Sequence, residues 1–192
     1  MSNHIDFYFD IISPYAYIAH KKILKHKNIL FNYKPIYLGG LHKLAGIDSP
    51  AFNKFKLRNN INDCNLVSEK NKIEFKWNSN FPINSLNIMR GYICINKNTQ
   101  NDYLNNYFEA YWKDNQDLSN IENISKLLNK LNVDIDEFFK SIKEQSIKDK
   151  LIKLTTDAFE KEVFVTPTFI VNNKIFWGQD RLEYALEEIN NN

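Results

Sequence analysis

The sequence predicts an α/β fold in which a helical block, residues 41–145, interrupts a mixed sheet. The chain opens with a strand-like run, a helical pattern and a second strand-like run, and the block shows helical apolar spacing throughout. A helix, two strand-like runs and a last helix follow the block. A β-α-β start implies parallel strands, whereas two strands joined by a tight turn are antiparallel, so we expect the sheet to be mixed.

The composition indicates a globular chain that can bury a sizeable core. Of its 192 residues, 43% are hydrophobic and 25% are charged, and the formal net charge is +2. This length suits one domain, or one domain with an insert. The basic residues are spread among acidic ones, so no nucleic-acid partner is expected. No signal peptide or membrane span is visible, so we expect a cytoplasmic protein that does not bind membranes.

The cysteines and histidines predict neither a disulfide nor a metal site. Cys64 and Cys94 lie far apart in the sequence, and neither belongs to a C-x-x-C pair. A disulfide framework and a dithiol redox centre are therefore not expected. The four histidines show no spacing typical of metal ligands.

The turn between the first strand and the first helix is the first candidate site. Residues 5–9 form an apolar, aromatic run of strand type, and residues 14–27 follow a helical pattern. Pro14 suits the first helical position, and Ser13 before it can cap the helix with its hydroxyl. A hydroxyl at the positive end of a helix would stabilise an anion or a thiolate. A helix cap with no further role is the alternative.

The second strand and the helical block follow. Residues 29–37 are strand-like, and Pro35 marks an edge or a bend of the sheet. In the block, Ser119 and Asp134 stand where helix caps are expected. One aromatic stripe at helical spacing predicts core or a subunit contact, and it consists of Leu104, Tyr107, Phe108, Tyr111 and Trp112.

The end of the chain predicts a helix followed by a hairpin. Residues 146–161 have the spacing of an amphipathic helix. Two strand-like runs, 168–171 and 174–177, are separated by Asn172 and Asn173. Asparagine tolerates the positive φ that two-residue hairpin turns need, so this segment predicts a hairpin.

A last helix is expected from about residue 180 to residue 189. Asp180 and Glu183 fit a capping box at its start. With the helical block removed, the predicted order is β-α-β-α-β-β-α. That order is a thioredoxin-like layout, in which four strands form one mixed sheet with helices on both faces.

This layout divides the chain into two predicted domains. Residues 1–40 and 146–192 would form the thioredoxin-like domain, and residues 41–145 would form an inserted helical domain. The step from Thr166 to Pro167 falls just before the third strand, where a thioredoxin-like layout has a cis proline beside the amino end of the first helix.

Five segments, in order along the chain, resemble one known family. They are residues 10–17, 35–40, 81–90, 165–169 and 176–182. They are similar to blocks of the 2-hydroxychromene-2-carboxylate isomerases and the kappa-class glutathione transferases. These proteins belong to a wider DsbA-like group, in which a helical domain is inserted into a thioredoxin fold. The resemblance spans nearly the whole chain and implies glutathione as the cofactor.

The resemblance implies a role for Ser13. Disulfide oxidoreductases of this fold carry a C-x-x-C motif at the start of the first helix, where this chain has Ser13-Pro14-Tyr15-Ala16. Dithiol exchange is therefore not expected as the main chemistry, and a bound glutathione would supply the sulfur. The hydroxyl of Ser13 and the helix end would both favour the thiolate, which is the nucleophilic form.

The resemblance also implies where the rest of the ligands bind. The cysteinyl backbone of glutathione would pair with the main chain beside the cis proline, and an acidic side chain would take the γ-glutamyl ammonium. The implied glutathione-binding residues are Thr166, Pro167, Gln179, Asp180 and Lys54, with Lys56 as the rival of Lys54. For Asp180, the alternative is a helix cap that pairs with Arg181.

The second substrate is expected to lie against the helical block. The implied pocket residues are Tyr15, Asn84, Ser85 and Arg90, of which Arg90 could pair with a carboxylate. A surface arginine and a helix cap at Asn84 or Ser85 are the alternatives.

The resemblance predicts a glutathione-dependent cis–trans isomerase that acts on a small conjugated or aromatic carboxylate. The thiolate would add reversibly to the conjugated substrate without net redox change. A kappa-like glutathione transferase or peroxidase is one alternative, and a catalytically silent binding protein on a DsbA-like scaffold is another. The resemblance also implies a homodimer.

Overall fold

The computed structural model describes residues 3–190. Within these residues one sheet contains four strands, β1 (Ile5–Phe9), β2 (Phe31–Pro35), β3 (Thr168–Val171) and β4 (Lys174–Trp177). Their order in the sheet is β2-β1-β3-β4. β1 pairs with β2 in parallel and with β3 antiparallel, and β3 and β4 form an antiparallel hairpin. The sheet is mixed, as predicted.

Both predictions for the ends of the sheet are confirmed. β2 is an edge strand, and Pro35, which has no N–H to donate, is its last residue. At the other edge, Asn172 and Asn173 join β3 to β4 with φ values of 50° and 62°. The peptide bond between Thr166 and Pro167 is cis, as the layout predicts. A second cis bond, before Pro82, was not expected from the sequence.

Nine α-helices lie within residues 3–190. Their bounds are α1 (Pro14–Ile23), α2 (Leu38–Ala45), α3 (Lys54–Lys70), α4 (Leu86–Cys94), α5 (Gln100–Trp112), α6 (Ile121–Lys130), α7 (Ile135–Ser141), α8 (Gln145–Glu160) and α9 (Leu182–Asn190). None of the helices in this part of the chain is both long and apolar enough to cross a membrane.

Two predicted helix boundaries are wrong. α1 ends at Ile23 instead of continuing to residue 27, because its apolar face ends there and Leu24 is 48% exposed. α6 is capped by Asn120, whose side chain accepts the N–H of Glu122, and not by Ser119. The predicted cap at Asp134 is confirmed, since its carboxylate accepts the N–H of Glu137 at 2.9 Å.

The aromatic stripe of α5 lies in the core, as predicted. Phe108 is fully buried, and its ring centroid lies 6.3 Å from that of Phe9 on β1 and 5.8 Å from that of Tyr17 on α1. One hydrophobic cluster thus includes side chains of the sheet, of α1 and of the helical block. Burying each large side chain stabilises the fold by about 1.5–3 kcal/mol, so the block and the sheet stabilise each other. The division into domains at residues 40 and 146 stays a prediction.

Candidate active site

Ser13 links the start of α1 to the cis-proline loop. It is the N-cap of α1, as the sequence predicts, and its Oγ accepts the N–H of Ala16 at 3.2 Å. The same hydroxyl donates to the main-chain carbonyl of Thr166 at 3.0 Å. Pro14 fills the first helical position. Ser13 is only 4% exposed, and it lines a cleft.

The cleft has a volume of about 730 Å³. It is formed by the start of α1, by α2, by residues 49–51, by the middle and second half of α3, by the loop that contains Pro82, by the cis-proline loop and by the turn before α9. It brings together six of the residues that the sequence predicts for the site. These are Ser13, Tyr15, Thr166, Pro167, Gln179 and Asp180. The aromatic side chains of Trp77, Phe81 and Trp177 form much of the remaining wall.

Four other predicted residues do not line the cleft. Lys54 is the first residue of α3, and its ammonium lies 5.2 Å from the ring centroid of Phe55. Asn84 accepts the N–H of Leu86, which is a capping contact at the start of α4. Ser85 donates to a buried carboxylate, and the Nε of Arg90 is buried without a hydrogen-bond partner. Lys56, the rival of Lys54, is also absent from the cleft wall.

The carboxylate that accepts the hydrogen bond from Ser85 belongs to Asp10, which directly follows β1 and is fully buried. Its Oδ1 accepts the N–H of Ile12 at 3.1 Å, and its Oδ2 accepts the N–H of Leu38 at 2.8 Å and the hydroxyl of Ser85 at 2.9 Å. Burial raises the pKa of Asp10 to about 6, although these hydrogen bonds oppose the shift. Asp10 therefore connects the turn before Ser13 to α2 and to α4.

A second contact from the helical block supports the same turn. The indole Nε1 of Trp112, at the end of α5, donates to the carbonyl of Ile11 at 2.8 Å. Trp112 is fully buried, so this bond is shielded from water. Neither Asp10 nor Trp112 was predicted as part of the site. Asp10 does lie in the segment that carries the family resemblance, and a carboxylate directly after a buried strand was the available signal.

Tyr15 and Asp63 form a polar pair in the cleft wall. The hydroxyl of Tyr15 donates to Asp63 Oδ2 at 2.8 Å. Burial raises the pKa of Tyr15 well above its ordinary value, so this residue keeps its proton. Asp63, together with His42 and Asn60, lines the cleft but was not predicted from the sequence.

The turn before α9 forms one end of the cleft. Gln179 is only 7% exposed, and its Oε1 accepts a hydrogen bond from Lys22 on α1 at 2.5 Å. Asp180 accepts one from Arg181 at 2.6 Å. The predicted capping box at Asp180 is wrong, because Asp180 lies inside a 3₁₀ turn, Gln179–Arg181, that precedes α9. The pairing with Arg181 is the contact that the alternative interpretation expected.

The cysteines of residues 3–190 do not line the cleft, and this part of the chain has no group of side chains that could hold a metal ion. Cys64 is buried, and burial raises the pKa of its thiol to about 12. What the cleft offers is a hydroxyl at a helix amino end, a polar turn at one end and an aromatic wall. This arrangement can stabilise an external thiolate beside an apolar substrate.

Comparisons with known proteins find relatives along nearly the whole chain. A 2-hydroxychromene-2-carboxylate isomerase of Sphingobium xenophagum is 23% identical over 189 residues, which is 96% of each chain. Glutathione S-transferase kappa 1 of Caenorhabditis elegans is 45% identical over 51 residues, which is 24% of this chain and 23% of the relative. A solved structure of a 2-hydroxychromene-2-carboxylate isomerase superposes with a TM-score of 0.89 at 24% identity, covering 97% of this chain and 94% of the other.

These likenesses confirm the predicted fold and the predicted resemblance. The model of the DSBA-like thioredoxin domain matches residues 4–190, which is nearly the full length of the chain. The chain therefore belongs to the family of DSBA-like thioredoxin domains.

Proposed function

We propose that this protein is a glutathione-dependent isomerase in which Ser13 stabilises the thiolate of bound glutathione. The observation that carries the proposal is the Ser13 hydroxyl at the amino end of α1, beside the cis-proline loop and in a cleft that Cys64 and Cys94 do not line. The full-length relative from Sphingobium xenophagum, which is named an isomerase, supports the class of reaction. The local match to a kappa-class glutathione transferase supports glutathione as the thiol.

Bound glutathione would supply a thiolate that adds reversibly to a conjugated carbon of the substrate and leaves after the former double bond has rotated, with no net redox change. The protein's part is to hold that sulfur as a thiolate. The partial positive charge at the start of α1 and one hydrogen bond from Ser13 both lower the pKa of a thiol beside them.

In this proposal the hydroxyl of Ser13 exchanges its partner. In the structure its proton is donated to the carbonyl of Thr166. Rotation of the hydroxyl towards the sulfur would leave that carbonyl free to accept an N–H from the cysteinyl residue of glutathione, as in the addition of a strand to a sheet edge. Gln179 and Asp180 would hold the γ-glutamyl end. Lys54, with Lys56 as its rival, stays a prediction for a contact with glutathione.

The second substrate would occupy the part of the cleft between Tyr15 and the aromatic side chains of Trp77 and Phe81, which suit a flat conjugated molecule. The predicted places of Asn84 and Ser85 beside the second substrate, and the predicted pairing of Arg90 with a substrate carboxylate, stay predictions. Tyr15 would orient the substrate through its oxygen, because its proton is donated to Asp63.

A kappa-like glutathione transferase is the second candidate, favoured by the 51-residue match to that class. The two functions differ in their product, because a transferase leaves glutathione bonded to the substrate whereas an isomerase releases it. Mass spectrometry of the product after incubation with a conjugated aromatic ketone would distinguish them.

The test of the thiolate mechanism is the Ser13→Ala variant. Its glutathione complex should have a thiol pKa higher by about one unit, if the lost hydrogen bond is worth about 1.4 kcal/mol. Turnover at neutral pH should fall about tenfold and recover partly in alkali, as the thiolate forms again. The ultraviolet absorbance of the thiolate, titrated with pH in the complex, measures the shift directly.

Ser49→Ala is the matched control. Ser49 also lines the cleft and also caps a helical turn, by accepting the N–H of Ala51 at 3.3 Å, but it lies outside α1. This variant should lose a similar cap and keep the thiol pKa of the wild type. Coinciding titration curves for wild type and Ser13→Ala would mean that Ser13 is only a helix cap.

A further inference from the structure

Lys22 makes a contact that the proposed chemistry does not explain. It lies on α1, and its Nζ donates to the side-chain Oε1 of Gln179 at 2.5 Å and to the main-chain carbonyl of the same residue at 3.4 Å. Its two lysine neighbours on this part of the chain bind elsewhere: Lys21 to side chains of α5, and Lys25 to the carbonyl of Asn71. Lys22 therefore bonds α1 to the turn that closes one end of the cleft.

The chemistry of the two groups fixes the orientation of the amide. An ammonium has three donors and no acceptor, so it can bond only to the oxygen of a side-chain amide. With Oε1 of Gln179 held by Lys22, the NH₂ group must lie on the opposite side of the amide. Because Gln179 lines the cleft, that side can present donors to a ligand.

The surroundings of Lys22 indicate that the contact is specific. Lys22 is half-buried, and burial lowers the pKa of its ammonium, while the carboxylates of Glu183 and Asp180 oppose that shift. Partial burial of a cation is costly unless it is paired or hydrogen-bonded. Here the amide oxygen of Gln179 and the nearby carboxylates provide that compensation.

We infer that Lys22 is a positioning residue that holds Gln179 with its amide N–H groups towards the cleft. The inference rests on the proposed function, since it concerns the end of the site assigned to the γ-glutamyl group. Gln179 would then donate to the α-carboxylate of that group, while Asp180 accepts from its ammonium. Together they would recognise an amino-acid zwitterion, and Lys22 would act on it only through Gln179.

Removal of Lys22 would free the amide to flip. Its oxygen would then face the α-carboxylate in part of the molecules, and two acceptors would repel each other. Lys22→Met keeps most of the aliphatic stem and its packing but removes the donor. Lys22→Arg keeps a cationic donor and should keep the orientation. Lys25→Met removes a lysine from the turn that follows the same helix and is the matched control.

The experiment compares two thiols by calorimetric titration to saturation: glutathione, and L-cysteinylglycine, which lacks the γ-glutamyl group. Wild type, Lys22→Arg and Lys25→Met should all prefer glutathione. Lys22→Met should bind glutathione about tenfold more weakly, as expected for a lost charge-assisted contact, and should bind cysteinylglycine as wild type does. A purely structural role of Lys22 would change both ligands alike.

The contradicting outcomes separate the two proposals. If Lys22→Met keeps the full preference for glutathione, or weakens both ligands equally, the role of Lys22 is wrong and the proposed function stands. If the wild type does not bind glutathione at all, the proposed function fails and the role of Lys22 fails with it.

Discussion

At the residue scale, the buried carboxylate of Asp10 affects both the structure of the site and the stability of the fold. Its carboxylate is fully buried, and its hydrogen-bond donors come from three separate segments, at Ile12, Leu38 and Ser85. The donors compensate only part of the cost of ionising a buried carboxylate, which is why the pKa of Asp10 rises to about 6. Asp10 should therefore make the stability of the fold depend on pH between about 4 and about 6.

The sign of that dependence follows from linkage. The pKa of Asp10 is about 6 in the folded protein and 3.8 ordinarily, so the folded state binds the proton more tightly. The resulting stabilisation is present below about pH 4 and is lost as the pH rises through about 6. The shift corresponds to about 3 kcal/mol of unfolding free energy. Asp10→Asn should abolish this component.

Urea unfolding of wild type and Asp10→Asn at several pH values checks this prediction. The difference between their unfolding free energies should change across the interval between about pH 4 and about pH 6. Asp134→Asn, at an exposed helix cap where asparagine serves equally well, should follow the wild type. A difference between Asp10→Asn and wild type that does not vary with pH would contradict the prediction.

At the residue scale, the sequence predicted what depends on close neighbours in the chain. Ser13 could be identified because Pro14 follows it at a helix start. The cis proline is an exception, because it was predicted from the layout of the whole fold and not from its neighbours. The contacts of Asp10 with Leu38 and Ser85, and that of Lys22 with Gln179, could not be predicted, since these partners lie far along the chain. A helical pattern also shows Lys22 only as part of a polar face. Contacts of this kind depend on how the elements pack.

At the element scale, the strands and the hairpin could be predicted better than the ends of the helices. β1 and the asparagine turn have unambiguous local signals, namely an apolar run and residues that tolerate positive φ. Ser119 and Asn120 are adjacent, and both residue types cap helices well, so the sequence could not decide between them. The end of α1 depended on where its apolar face stops meeting the core, which is a tertiary property.

The turn before α9 depends on Gly178. Its φ is 108° and ψ is 154°, and a Cβ at this position would lie 2.5 Å from Oδ1 of Asp180. Gly178→Ala should therefore cost about 1–3 kcal/mol of stability and should weaken glutathione binding, because both Gln179 and Asp180 would move. Urea unfolding and calorimetric titration with glutathione measure the two effects.

Gly46→Ala is the control for this prediction. Gly46 also has a positive φ, of 65°, but a Cβ there would meet nothing within 4 Å, and the residue lies at the end of α2. This variant should lose about 1 kcal/mol of stability and bind glutathione normally. Equal effects of the two variants on binding would mean that the turn before α9 does not contact the ligand.

At the scale of the whole molecule, we expect a homodimer. Phe52 lies just before α3 and is 82% exposed, and Phe55 lies in the first turn of α3 and is 68% exposed. Two exposed phenylalanines on one surface favour its burial against a second subunit. The double variant Phe52→Ser, Phe55→Ser should shift the protein to a monomer of 22.7 kDa in sedimentation velocity at micromolar concentration. Ile152→Ser, at an exposed position of α8, should leave the assembly unchanged.

A wild type that already sediments as a 22.7 kDa monomer would contradict this expectation. If the wild type is a dimer, a Phe52→Ser, Phe55→Ser variant that sediments as the wild type does would contradict the role of this surface. Because residues 49–51 line the cleft directly before Phe52, loss of the dimer should also raise the KM for the second substrate.

The two bonds that reach the Ser13 turn from the helical block limit how far this chain could be shortened. A version with residues 41–145 deleted would keep all four strands and both ends of the cis-proline loop. It would still lose the indole that holds the Ile11 carbonyl and the hydroxyl that holds Asp10. The turn would then be open to water and free to adopt other conformations. An engineered scaffold that presents Ser13 correctly must therefore keep the parts of the helical block that carry Ser85 and Trp112.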